Sequence, residues 1–124
     1  WPTVSALETH VYHIAGSWTG WALSRMVAVD GSADQHRCYV TIGEEALEEF
    51  QIVVDRDWEQ VFHPTSPCAS PGEGIVAGPN ADGEGLHWQI FGPPGQTVEI
   101  TLNLRSEDRR SIVSSRRLAW NEHP

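Results

Sequence analysis

The sequence predicts an all-β chain: an antiparallel, immunoglobulin-like β-sandwich of seven to eight short strands. Three observations carry that expectation. Short runs of alternating apolar and polar residues recur, clearest at Thr97–Leu104, where Val98, Ile100, Leu102 and Leu104 alternate with Thr97, Glu99, Thr101 and Asn103. Turn-forming residues separate these runs, with 11 Gly and 8 Pro in 124 residues. No stretch has the length and 3.6-residue period of a stable helix.

Thr9 to Ala15 reads as the first strand, with Tyr12 and Ile14 on one face and Val11 and His13 on the other. Gly16 ends it, since a residue without Cβ lets the backbone turn. Arg25–Val29 is the second strand, closed by Asp30-Gly31, a hairpin signal. His36–Ile42 is the third, and Gly43 closes it. Glu44–Glu49 holds helix formers but is too short for a helix, so it reads as a polar loop. Glu49–Asp55 is the fourth strand, with Phe50, Ile52 and Val54 inward, and Trp58–His63 is the fifth. Pro64–Gly85 is rich in Pro, Gly and Ser and reads as a long loop with at most a short strand at Ile75-Val76. Leu86–Phe91 and Thr97–Leu104 follow as strands. Ser111–Trp120 is a more polar strand, expected at a sheet edge.

The length fits a single domain over residues 1–124, which buries roughly 65% of its unfolded surface. The net charge of −9 argues against a nucleic-acid partner, because phosphate contacts need cations. All eight cations are arginine, and Arg105, Arg109, Arg110, Arg116 and Arg117 crowd into the last fifth of the chain. That cluster reads as a docking surface or, more simply, as a solvated turn and edge strand. No apolar run is long enough to span a membrane. Cys38 shares a face with His36, Val40 and Ile42, as a buried thiol would. Cys68 sits in the Pro/Ser loop, and a Cys38–Cys68 bridge stays open. Trp1-Pro2 opens the chain without an initiator Met or a signal-like segment, as expected of a processed product or a piece of something longer.

The functional expectation rests on tryptophan. The Gly16-Ser17 corner delivers Trp18 and Trp21, and the fourth strand leads through a short acidic turn to Trp58. Trp21 and Trp58 both follow turns, and side by side they would form an open aromatic platform suited to the flat C–H face of a pyranose. The competing reading is that each is a core residue, as expected for Trp88, which shares a face with Leu86 and Ile90. Trp120 is open to either assignment.

Gly16-Ser17-Trp18-Thr19-Gly20-Trp21, and Phe50-Gln51-Ile52-Val53-Val54-Asp55-Arg56-Asp57-Trp58 followed by His63-Pro64, resemble the starch- and glycogen-binding domains. The nearest type is the carbohydrate-binding module of AMP-activated kinase β subunits and of branching enzymes. The resemblance covers residues 11 to about 90. It implies a noncatalytic α-glucan-binding module in which Trp21 and Trp58 stack on sugar rings. Gln51, at a position where such modules often carry Lys, and His87, near a position often Asn, would hydrogen-bond the sugar. Trp18 would be a core aromatic that does not touch ligand. The chain departs from the minimal module at Pro64–Gly85 and after Gly95.

The sequence implies no cofactor, no metal and no catalysis. His10 and His13 lie on opposite faces of one strand, and the remaining histidines have no zinc-ligand spacing. No nucleophile elbow, phosphate-binding glycine loop or His-Glu-x-x-His occurs, and Glu44, Glu45, Glu48 and Glu49 read as a solvated acidic run. The alternative function is an accessory or structural subunit of a larger, organellar (plastid) protein complex, with the same aromatics buried against a protein partner.

Overall fold

The computed structural model describes residues 10–29 and 34–119. The expected antiparallel β-sandwich is present, with ten strands and no α-helix among the described residues. In chain order they are β1 (Tyr12–Gly16), β2 (Leu23–Arg25), β3 (Val27–Ala28), β4 (Gln35–Thr41), β5 (Leu47–Val54), β6 (Asp57–Pro64), β7 (Val76–Asn80), β8 (Trp88–Phe91), β9 (Thr97–Asn103) and β10 (Val113–Arg117). Sheet one runs β2-β1-β5-β6-β7, with β8 also paired to β5, and sheet two runs β10-β9-β4-β3.

The alternation read in the sequence fills the space between the sheets. Phe50, Ile52, Val98, Ile100 and Leu102 are all buried there. Trp88 stacks on Phe50 with ring centroids 5.4 Å apart, so it is a core residue as expected. Trp18 packs at the margin of the same core, 6.4 Å from Phe50. Each large apolar side chain buried this way contributes about 1.5–3 kcal/mol.

Most element boundaries shift by one or two residues from expectation, and four elements differ in kind or by more. The second strand is two strands, because Met26 turns inward and is buried while the chain passes from sheet one to sheet two. The supposed loop before Glu49 already belongs to β5 from Leu47, which pairs with Phe91. Glu48 is buried there because Ser17 Oγ and the Gly43 N–H both donate to its carboxylate, at 2.7 and 2.8 Å. The long Pro64–Gly85 loop contains β7, which pairs with β6 at the edge of sheet one, where Pro79 is tolerated without its N–H. The last strand stops at Arg117 and does lie at a sheet edge. Trp120 and the Asp30-Gly31 turn lie outside the described residues.

The C-terminal arginines follow the simpler reading. Arg105 pairs with Asp34 at 2.7 Å and Arg110 with Asp108 at 3.2 Å, while Arg116 faces Glu99 at 3.8 Å. Arg109 donates to the Val76 carbonyl and Arg117 to that of Phe91. Cys38 and Cys68 are both free thiols. No described helix is long and apolar enough to cross a membrane.

The outer face of sheet one carries a second, smaller apolar cluster. Ala15, Val53 and Val61 are buried there, with Trp21 and Leu23 packed over them. The chain between β7 and β8 folds back across the same face, and this covering creates the site.

Candidate functional site

A cleft of about 340 Å3 opens on the outer face of sheet one, lined by Trp21, Gln51, Trp58, Val61, Ala81, Gly83, Glu84, Gly85 and His87. The four residues singled out in the sequence, Trp21, Gln51, Trp58 and His87, therefore share one cavity. That volume lies near the lower end of the range for small-ligand sites.

Trp21 reaches the cleft through a tight corner. β1 ends at Gly16, Ser17–Thr19 makes one turn of 3-10 helix, and Gly20 and Trp21 both take the left-handed conformation, at φ 65° and 70°. The Trp21 N–H donates to the Gly16 carbonyl at 2.9 Å, which closes the corner. A left-handed backbone at a bulky residue costs on the order of 1–3 kcal/mol and persists only where its surroundings enforce it. Here the enforcement is packing: the indole covers Ala15, Val53 and Val61. Gly16 is required because a Cβ there would collide with the Trp18 ring.

Trp58 reaches the cleft through a bulge. Val54 pairs with Asp57 but Val53 pairs with Val61, so Trp58, Glu59 and Gln60 have no counterpart on β5. Such an insertion re-aims side chains that strict alternation would send elsewhere. Asp57 holds the bulge, accepting from the Glu59 N–H at 2.9 Å and from Gln60 Nε2 at 3.1 Å. The result is an indole 48% exposed.

Gln51 lies in the cleft wall rather than at its mouth. It is 5% exposed, and its amide nitrogen donates to the carbonyls of Gly83 and Leu86, the latter at 2.9 Å. Its amide donors are thus directed at the segment that forms the far wall. His63, buried beside it on β6, has its ring nitrogens 2.8 Å from the Pro64 carbonyl and 2.8 Å from Asn80 Oδ1. Asn80 Oδ1 also accepts the Asp82 N–H at 2.8 Å. Gly83 fits this polar pair closely, since a Cβ would lie 3.0 Å from the His63 ring and 3.2 Å from Gln51 Nε2.

His87 meets Trp21 in a tilted ring contact, centroids 4.6 Å apart and planes inclined by 39°. Its Nδ1 stands 3.9 Å from Glu49, whose carboxylate accepts from Gln89 at 3.1 Å. The cleft thus combines two indole surfaces with a polar rim of His87 and Glu84. Sequence reasoning missed Val61, Glu84 and the Gly83–Gly85 wall. The Asp82-Gly83 turn signal was visible, but nothing local said that the turn would fold over sheet one.

No family model matches this sequence, and no curated protein matches it. Among solved structures, SusF from Bacteroides thetaiotaomicron is similar in fold, with a TM-score of 0.59 and 16% identity. The likeness covers 85% of this chain and 23% of SusF, so the chain spans less than a quarter of that protein's length. At this identity the likeness is one of β-rich fold.

Proposed function

We propose that this chain is a noncatalytic binding module for an α-glucan, with sugar rings stacked on Trp21 and Trp58 in the cleft of sheet one. The observation that carries the reading is that Trp21, Gln51, Trp58 and His87, from four separate segments, line one cavity. A pyranose presents an apolar C–H face and a hydroxyl rim, and the cleft presents indoles with imidazole and carboxylate groups beside them. In this reading Gln51 acts by holding the 83–86 segment in place, and His87 and Glu84 meet sugar hydroxyls. By analogy with base stacking, each ring contributes about 1–3 kcal/mol, so affinity for a short glucan is micromolar to millimolar. Tethering to a larger assembly would make such weak binding effective.

The test is a titration of maltoheptaose followed by tryptophan fluorescence. Saturable quenching that is lost in Trp58→Ala supports the reading. No response at millimolar sugar, together with burial of Trp58 in a stable complex with another protein, would replace it with the interaction-subunit reading, because an indole this exposed is also good interface material.

A further inference from the structure

We propose a second subsite on the same face, formed by His13, Arg25 and Arg56, that takes an anionic group (phosphate ester or carboxylate) of the saccharide bound in the aromatic cleft. The proposal rests on the glucan reading and extends it to a charged ligand.

A cavity of about 500 Å3 opens beside the cleft, lined by Val11, His13, Leu23, Arg25, Asp55 and Arg56. Leu23, in its wall, packs beside Trp21 on the Ala15–Val53–Val61 cluster, so the two cavities are neighbours on one face. The register explains the adjacency. On β1, His13 and Ala15 point to the same face two residues apart, roughly 6.5–7 Å. Ala15 lies opposite Leu23 and Gln51, and His13 lies opposite Arg25 and Val53. The sheet thus sets the basic residues one row beyond the floor of the aromatic cleft.

Three features of this cavity point to an anion. First, His13 is 5% exposed and its Nδ1 has no hydrogen-bond partner. A buried polar atom without a partner is costly, and such an atom calls for an explanation. Second, no ion pair or side-chain hydrogen bond engages the guanidinium of Arg25 or Arg56 among the described residues. The other arginines of this chain lie against carboxylates, carbonyls or, for Arg37, the Tyr39 ring. Third, Arg56 occupies the second position of a two-residue hairpin turn at φ 59°, after Asp55 at φ 53°. That turn type favours Gly at its second position. An arginine held there, at a cost in backbone energy, projects from the turn that borders the cavity.

Among the described residues Asp55 is the one carboxylate in the cavity wall, and its charge is already engaged. Oδ2 is 2.6 Å from His10 Nδ1 and Oδ1 accepts the Val11 N–H at 2.8 Å. Burial first, then Arg56 and Arg25, lower the His13 pKa, with Asp55 opposing them. An incoming anion would reverse the arginines' effect and supply the partner the ring lacks.

The experiment follows the imidazole resonances of His13 by NMR while inorganic phosphate, glucose 6-phosphate, glucose or maltoheptaose is added to the intact chain. Glucose 6-phosphate should move the His13 signals and bind more tightly than either phosphate or glucose. Arg25→Gln and Arg56→Gly should each weaken glucose 6-phosphate about tenfold relative to maltoheptaose. Arg56→Gly relieves the left-handed strain, so loss of binding in that variant is not a folding defect. Unmoved His13 signals with every anion, while maltoheptaose still quenches tryptophan, would overturn the anion subsite and leave the cleft reading intact. If phosphate moves His13 but maltoheptaose gives no response, the glucan reading fails and this proposal fails with it as stated. Equal affinity for phosphate and glucose 6-phosphate would also overturn it, since the sugar would then contribute nothing.

Discussion

The indole of Trp21 leans on the imidazole of His87, ring centroids 4.6 Å apart at 39°. The contact joins the corner after β1 to the segment before β8. It leaves Trp21 held on two sides, by His87 and by the Ala15–Val53–Val61 cluster beneath. Among the described residues Trp58 has no ring contact and lies outside that cluster, and it is 48% exposed. The two indoles of the cleft are therefore mechanically different, and their substitutions separate.

Trp58→Ala should lower affinity for maltoheptaose by about 1–3 kcal/mol while leaving the unfolding midpoint nearly unchanged. Trp21→Ala should lower affinity and also stability, by about 1–3 kcal/mol, because it uncovers the small apolar cluster. Urea unfolding of both variants beside the titrations would show the split. Equal stability losses would mean that Trp58 is packed rather than presented.

Gln51 predicts a different pattern. Its amide nitrogen serves two carbonyls of the cleft wall, at Gly83 and Leu86. Gln51→Leu leaves those carbonyls without their donor, costing about 1–3 kcal/mol of stability. Gln51→Glu should cost more, because a carboxylate would face two carbonyl oxygens in a buried position. In both variants, hydrogen exchange should rise first at residues 82–87, and sugar affinity should fall with the loosening of that wall. Exchange that rises uniformly over the sheet would contradict a local role.

Gly16 tests the corner itself. Its φ of −146° suits any residue, so the demand for glycine is steric: an added Cβ would overlap the Trp18 ring. Gly16→Ala should cost about 1–3 kcal/mol by displacing Trp18 from the core margin. Gly20→Ala, by contrast, meets open space but inherits φ 65°, so its cost should be about 1 kcal/mol of backbone strain. The ratio of the two, read by thermal unfolding, distinguishes collision from strain.

The sandwich was legible in the sequence because alternation over Phe50–Val54 and Thr97–Leu104 reports directly which side chains face the core. Trp21, Trp58, Gln51 and His87 were legible as site candidates only through turn positions and a resemblance, and their shared cavity is a property of register. β7 was hidden because Val76–Asn80 holds Gly78 and Pro79, which local rules assign to loops, and an edge strand tolerates both. Glu48 was hidden for the same kind of reason: a glutamate reads as solvated until Ser17 and Gly43 are placed beside it. The bulge that turns Trp58 outward leaves no local mark at all, since it exists only in the mismatch between Val53–Val61 and Val54–Asp57.

The thiols should react on very different timescales. Cys68 is exposed, whereas burial pushes the Cys38 thiol up to about 12. The thiolate is the reactive form, so Cys38 should be inert at neutral pH in the folded protein. A thiol-reactive dye should modify Cys68 at once and Cys38 only after denaturation, as peptide mapping of the labelled protein would show. Rapid labelling at Cys38 would mean that the face of β4 opens readily.

Acid should weaken the fold in two stages. The folded pKa of His13 lies below its ordinary 6.5, chiefly through burial and then through Arg56 and Arg25, with Asp55 acting the other way. Between 6.5 and that lower value the unfolded chain holds a proton the folded chain does not, so stability falls as pH drops through this window. The folded pKa of Asp55 lies below 3.8, through the Val11 N–H first and then His10. Its contribution is complete above 3.8 and disappears as pH falls through its own lower value. Urea unfolding across both windows should show the first decline absent in His13→Gln and the second absent in Asp55→Asn. Phosphate, if it sits between His13 and the two arginines, should raise the protonation point of His13 and so reduce the first decline in the parent protein alone. A first decline that survives His13→Gln would assign it to other histidines and remove His13 from the account.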